Sequence, residues 1–125
     1  MNLKLIALFI STFAFAGGLF SDKRMSADAI KSLRTNNTIN CKNLRKNITS
    51  KVYSRDDGSA TRLTADGKKM QGNWRVTENG QHCVDWGEHE RCTPVVDQGN
   101  GTYQKIEGDK PRAEFTVTEG NPNNL

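Results

Sequence analysis

The residue types best suited to chemistry crowd into His82–Cys92, HCVDWGEHERC, which holds two cysteines, two histidines, three carboxylates and a tryptophan. Three chemistries compete for this stretch. His82, Cys83, His89 and Cys92 are all zinc-ligand types. Their spacing, H-C-x5-H-x2-C, is not the paired spacing of a structural zinc site, and adjacent strand residues such as His82 and Cys83 point to opposite faces. A redox centre needs Cys-x-x-Cys or an activated lone thiol, and the sequence has no C-x-x-C. The third reading is a staple. A hairpin loop at Gly87-Glu88 sets Trp86 opposite His89, Asp85 opposite Glu90, Val84 opposite Arg91 and Cys83 opposite Cys92. The cysteines then form a non-hydrogen-bonded pair with Cα atoms about 4.5 Å apart, at the short end of disulfide geometry. A Cys83–Cys92 disulfide is therefore expected. It leaves Cys41 over, either as a small buried apolar residue or as half of an intermolecular bridge. Asp85 facing Glu90 is an unfavourable pair, acceptable if solvated or if a cation or basic side chain joins it.

Catalytic constellations are missing. The sequence has no G-x-S-x-G, H-E-x-x-H, Walker loop, G-x-G-x-x-G or C-x-x-C-H, the local signatures of the commonest catalytic sites. His82 and His89 read as surface residues of a turn, and Asp56-Asp57 as turn formers. No enzyme, metal or cofactor is expected.

These residues must be held by elements that the rest of the chain supplies. It opens MNLKLIALFISTFAFAGG, with Lys4 before an uncharged run from Leu5 to Ala16 that ends Ala-Phe-Ala. This is the pattern of a secretory signal over residues 1–16; the run is shorter than the roughly 20 residues needed to span a bilayer. A flexible leader (17–25), one β domain (26–120) and a tail (121–125) follow. Removal of Lys4 leaves 17 basic and 14 acidic residues, interspersed rather than clustered, which argues against a nucleic-acid footprint. Apolar residues make up only 34% of the chain; a thin core of this kind commonly needs a staple, and an oxidising compartment permits one. A periplasmic or secreted location is expected.

SADAIKSLRTNN supplies a short helix, residues 27–35, with Ser26 as N-cap and Asp28 in its first turn. Turn dipeptides then recur at Asp57-Gly58, Asp66-Gly67, Asn79-Gly80, Gly87-Glu88, Asn100-Gly101 and Gly108-Asp109, each a hairpin signal. Between them lie segments rich in Thr, Val, Tyr, Trp and Arg. The predicted fold is all-β: an antiparallel meander of seven or eight strands forming a small or half-open barrel, TINCKN being the eighth. With two-residue loops, Val52, Leu63, Met70, Gly72, Trp74, Val76, Cys83 and Cys92 share the apolar inner face. Arg62, Lys69, Gln71, Asn73, Arg75, Thr77, His82 and Arg91 face water, with Val84 and an exposed Trp86 among them. Past Asn100 the register places either Val95 or Val96 beside Ile106. In AEFTVTE, Ala113, Phe115 and Val117 point inward. Gly72 is expected to let the tryptophan of a neighbouring strand approach the backbone, and Trp74 to centre the core.

GNWRVTENGQHCVDWGEHERCTPVV, with the preceding DDGSATRL and the closing EGNPNNL, resembles a family of small exported bacterial β-rich domains of unknown function. The resemblance implies a periplasmic domain with a tightly packed tryptophan, here Trp74, and a bridge carried by Cys83 and Cys92; it implies no activity. The G-x-W and the cysteine pair are also similar to small-barrel bacterial protease inhibitors, whose cysteines span a longer loop. Lipocalin-like carriers place G-x-W on the first strand, whereas Gly72-Asn73-Trp74 lies mid-chain.

Three functions follow as expectations. The first is a non-catalytic binding or interaction module of the bacterial envelope, engaging another exported protein through Trp86, Arg75, Arg91 and His82. The second is a carrier of a small apolar ligand inside the barrel. The third is a hydrolase or metal protein. A cavity beside Trp74, Phe115 and Val117 would favour the carrier, and a filled core the interaction module.

Overall fold

The computed structural model describes residues 23–125; the signal assigned to 1–16 and most of the leader lie outside them. Among the described residues, helix α1 (Ala27–Arg34) precedes eight strands: β1 (Asn37–Asn43), β2 (Ile48–Ser54), β3 (Ser59–Thr64), β4 (Lys69–Val76), β5 (Gln81–Asp85), β6 (Glu90–Asp97), β7 (Tyr103–Glu107) and β8 (Lys110–Glu119). Consecutive strands pair antiparallel, and β1 pairs with β8, so the meander closes into a barrel. Closure removes the open edges that make exposed strands prone to mispairing. No helix among the described residues is long and apolar enough to cross a membrane.

α1 starts where expected. The Ser26 hydroxyl accepts a hydrogen bond from the Ala29 N–H at 3.2 Å, and Asp28 sits in the first turn, where the helix dipole favours negative charge. Ile30 and Arg34, one turn apart, are its buried residues. Ile30 joins Ile39, Val52, Ala60, Val95 and Phe115 in the core, so the helix plugs one end of the barrel. The opposite end, rimmed by the β1–β2, β3–β4, β5–β6 and β7–β8 loops, is open.

The register departs from expectation in a systematic way. Leu63 faces Lys69, and Met70 faces Arg62. Val52 faces Arg62 rather than Leu63. Val76 faces His82 rather than Cys83. Each displacement comes from a three-residue loop in place of a two-residue one. In these loops Gly58, Gly67 and Gly80 donate back to the Arg55, Thr64 and Thr77 carbonyls at 3.0–3.1 Å. Each of these glycines holds a positive φ, between 84° and 90°, in a type I turn followed by a left-handed glycine. Thr64 and Thr77 brace two of these loops, their hydroxyls accepting from the Lys68 and Gln81 N–H groups at 3.0 Å. A slip of one residue exchanges the two faces of a strand. Arg62, His82, Val84, Trp86 and Arg91 therefore point into the barrel, while Leu63, Cys83 and Cys92 point out. Met70, Gly72, Trp74 and Val76 keep the inward face expected of them.

The β6–β7 hairpin slips too. Neither valine meets Ile106: Val95 pairs with Lys105 and Val96 with Gln104, around a loop closed by the Gln98 N–H on the Thr102 carbonyl at 2.9 Å. Lys105 thus enters the lumen beside Val95. On β8, Ala113 and Phe115 are buried and Val117 packs on the core, as the alternation of AEFTVTE predicts.

Candidate functional site

The opening stretch resolves into two structures on opposite sides of one sheet. Outside, Cys83 and Cys92 are joined in a disulfide with Cα atoms 4.0 Å apart. Its neighbour Glu90 accepts two hydrogen bonds from Arg75, both at 2.8 Å, and that ion pair relieves the Asp85–Glu90 opposition. Asp85 instead accepts from the Gly87 N–H at 2.8 Å. The ligating atoms of Cys83, Glu90 and Cys92 lie within 4.8 Å of one another, but the sulfurs are bonded to each other and the carboxylate is held by Arg75. Inside, His82 is 2% exposed, on the far side of the strand from Cys83.

The contact patch expected of Trp86, Arg75, Arg91 and His82 is therefore divided. Arg75 is on the outer wall. His82 is sealed in the interior. Trp86 is packed against Gly72, where an added Cβ would lie 2.5 Å from the indole Cε3. Arg91 lines the open mouth. Gly72 does admit a neighbouring strand's tryptophan. Trp74 packs on the core, donates from Nε1 to the Arg55 carbonyl at 2.8 Å and stacks 6.2 Å from the His82 ring.

What the slipped register assembles is a lumen. Beneath the mouth, an inner chamber of about 60 Å³ is lined by Arg34, Cys41, Ser50, Val52, Ser54, Ala60, Arg62, Trp74, His82, Val84, Trp86 and Lys105. α1 contributes Arg34, and β1, β2, β3, β4, β5 and β7 contribute the others, Trp86 lying just past β5. The chamber shares Cys41, Ser50, Arg62, Val84, Trp86 and Lys105 with the mouth, a space of about 410 Å³ that adds Ile48, Met70, Glu88, His89, Arg91, Arg112 and others. Cys41, the cysteine outside the disulfide, belongs to this lining.

The chamber is cationic, and among the described residues no carboxylate lines it. Arg34 is 2% exposed; its guanidinium carbon lies 5.3 Å from the Phe115 ring centroid. Burial lowers its pKa to about 10. Arg62 lies over Trp86, 4.9 Å from the ring centroid. Burial, followed by the positive charges of Arg34, Arg112 and Arg62, lowers Lys105 to about 8. Burial, then Arg34 and Lys105, holds His82 well below the ordinary imidazole value, so its ring is neutral at pH 7. Several polar atoms here have no hydrogen-bond partner among the described residues: Arg34 Nε and Nη1, Ser54 Oγ, Arg62 Nε, and both His82 nitrogens. Buried polar atoms are paired in the large majority of cases, so such a cluster calls for a cause.

Sequence reasoning missed this site because it placed Arg62 and His82 in water. The threonines before Asp66-Gly67 and Asn79-Gly80 were a partial signal, since their hydroxyls brace the three-residue form; the Asp57-Gly58 loop adopts the same form with Arg55 in that place. The chain matches no protein-family model and no curated protein, so the chemistry of the site rests on these residues alone.

Proposed function

We propose that this protein is a non-catalytic binding protein of an exported compartment, which takes a small ligand through the open end of its barrel. One observation carries the reading: a mouth opposite the helical plug leads to a chamber in which six buried polar atoms of Arg34, Ser54, Arg62 and His82 lack partners among the described residues. Small eight-stranded barrels either fill their interior with side chains or hold one small ligand. Here α1 and the core close one end of the barrel, and the chamber and mouth leave space between them and the other end. Export is supported by the disulfide, which forms and persists in oxidising compartments, and by the signal-like N-terminal sequence. The competing reading, an interaction module with a four-residue patch, relies on side chains that do not share a surface. An apolar ligand would leave the lumenal charges uncompensated.

The test is a ligand-detected NMR screen of a chemically mixed small-molecule library against the disulfide-bonded protein and a Ser50→Phe variant. Ser50 lines both chamber and mouth, so phenylalanine there obstructs the lumen. The expected result is a set of binders lost in the variant while its far-UV circular dichroism is retained. A folded wild type with no binder, or binders indifferent to Ser50→Phe, overturns the proposal.

A further inference from the structure

We infer that the lumen is built for a small oxyanion, a carboxylate or phosphate group seated among Arg34, Arg62 and Lys105 with the rest of its molecule against Val84 and Trp86. The inference rests on the lumenal binding reading above and names the class of ligand.

The charge inventory is its first support. At the rim, Glu107 is shared by Arg45, Arg112 at 2.7 Å and Arg91 at 4.0 Å. Deeper in, no acid answers: among the described residues, Arg34, Arg62 and Lys105 take part in no ion pair. Other accounts of these charges fall short. Stacking on Phe115 and Trp86 stabilises a guanidinium through its face. It supplies no negative charge and leaves Arg34 Nε and Nη1 and Arg62 Nε without a partner among the described residues; Arg62 Nη2 donates only to the Met70 sulfur at 3.2 Å, a weak acceptor. The in-plane N–H edge of a guanidinium is the fork that meets carboxylate and phosphate oxygens in pairs. Solvation is also an insufficient account for Arg34, at 2% exposure.

Geometry is the second support. Arg34 is brought inward by the same helical face as Ile30, Lys105 by the slipped β6–β7 hairpin, and Arg62 by the slipped β3 register. Three elements distant in sequence thus converge on a chamber of about 60 Å³. A water needs only about 10–15 Å³ by that measure, so the space suits a carboxylate or phosphate group. The neutral His82 imidazole and the Ser54 hydroxyl can each donate one further hydrogen bond. Lys105, held at about 8 by its surroundings, regains its proton affinity once an anion sits beside it.

The test uses the disulfide-bonded protein at pH 7 with matched probes: octanoate and 1-octanol, benzoate and benzyl alcohol, glycerol phosphate and glycerol, and inorganic phosphate. Titration is followed by calorimetry and by fluorescence, since Trp74 and Trp86 both line the chamber. At least one anion is expected to bind tenfold or more tightly than its neutral partner. Comparing the carboxylate and phosphate arms identifies which head group is preferred. Lys105→Met and Arg62→Met are each expected to weaken that anion tenfold or more. The melting temperature of the unliganded variants is expected to hold or rise, because an uncompensated charge has been removed. A merely structural role would instead lower it. Neutral probes binding as tightly as their anions would overturn the oxyanion while leaving lumenal binding intact. Anion affinity unchanged in both variants would place the anion outside the lumen and overturn the inference. If no probe of either kind bound, both readings would fall.

Discussion

Trp86 lies on Gly72 so closely that the glycine has no room for a side chain: a Cβ at position 72 would stand 2.5 Å from indole Cε3 and 3.0 Å from Cζ3. The contact sets the wall of the chamber, because Trp86 carries Arg62 on its ring. Gly72→Ala must push the indole and the β5 backbone away together. The expected cost is about 1–3 kcal/mol, the usual range for forcing extra volume into a packed site, with a shift in the Trp86 emission. Urea denaturation measures it; a variant within about 0.5 kcal/mol of wild type would mean that both the indole and the Asp85 carbonyl, the atom nearest such a Cβ, move aside freely.

How far the sequence carried is visible at this contact. The close approach on Gly72, the seven-or-eight-stranded meander and the Cys83–Cys92 bridge were legible from local turn chemistry and period-two alternation, and the helix after Ser26 from its capping residue and first-turn acid. The identity of the inner face of β3, β5 and β6 was not. Asp66-Gly67 and Asn79-Gly80 fit a two-residue loop and a three-residue loop alike; the Thr64 and Thr77 hydroxyls brace the longer form, which the Asp57-Gly58 loop also takes with Arg55 in their place. Preference for an apolar interior then pulled Leu63 in and Arg62 out, whereas the fold does the reverse. The lumenal chamber is the place where the preference for an apolar core fails, the kind of exception that the proposed binding role accounts for.

His82 makes the fold sensitive to mild acid. Burial, then the charges of Arg34 and Lys105, depresses its folded-state pKa well below the ordinary value, while the unfolded chain takes up a proton near pH 6.5. In that window the unfolded state binds more protons, so stability falls as pH drops. The loss begins near pH 6.5 and steepens to at most about 1.4 kcal/mol per pH unit for this one group. Glu90 and Glu107, held below their usual range by Arg75 and by Arg112 and Arg45, add their losses only at lower pH, as carboxylates protonate. Thermal unfolding between pH 7 and pH 5 is expected to show the decline, and His82→Gln to flatten it. A decline of equal slope in the variant would assign the sensitivity elsewhere.

The disulfide and the chamber share β5 but face opposite ways, so one can be removed without emptying the other. Cys83 has 0% exposure yet lies on the outer wall, beside the Arg75–Glu90 pair. Its bridge closes a loop of sequence separation 9, for which chain-entropy arguments give a stabilisation of at most about 3 kcal/mol. Replacing both cysteines by serine, or reducing the bridge, is expected to lower stability by up to that amount. Below the new melting temperature, ligand affinity in the lumen should change less than threefold, because His82, Val84 and Arg91 are still held by the ladders of β4, β5 and β6. Calorimetric titration of the reduced, folded protein decides the matter. A tenfold loss of affinity at unchanged secondary structure would show that the staple, and not the strand register alone, sets the position of the lumenal side chains.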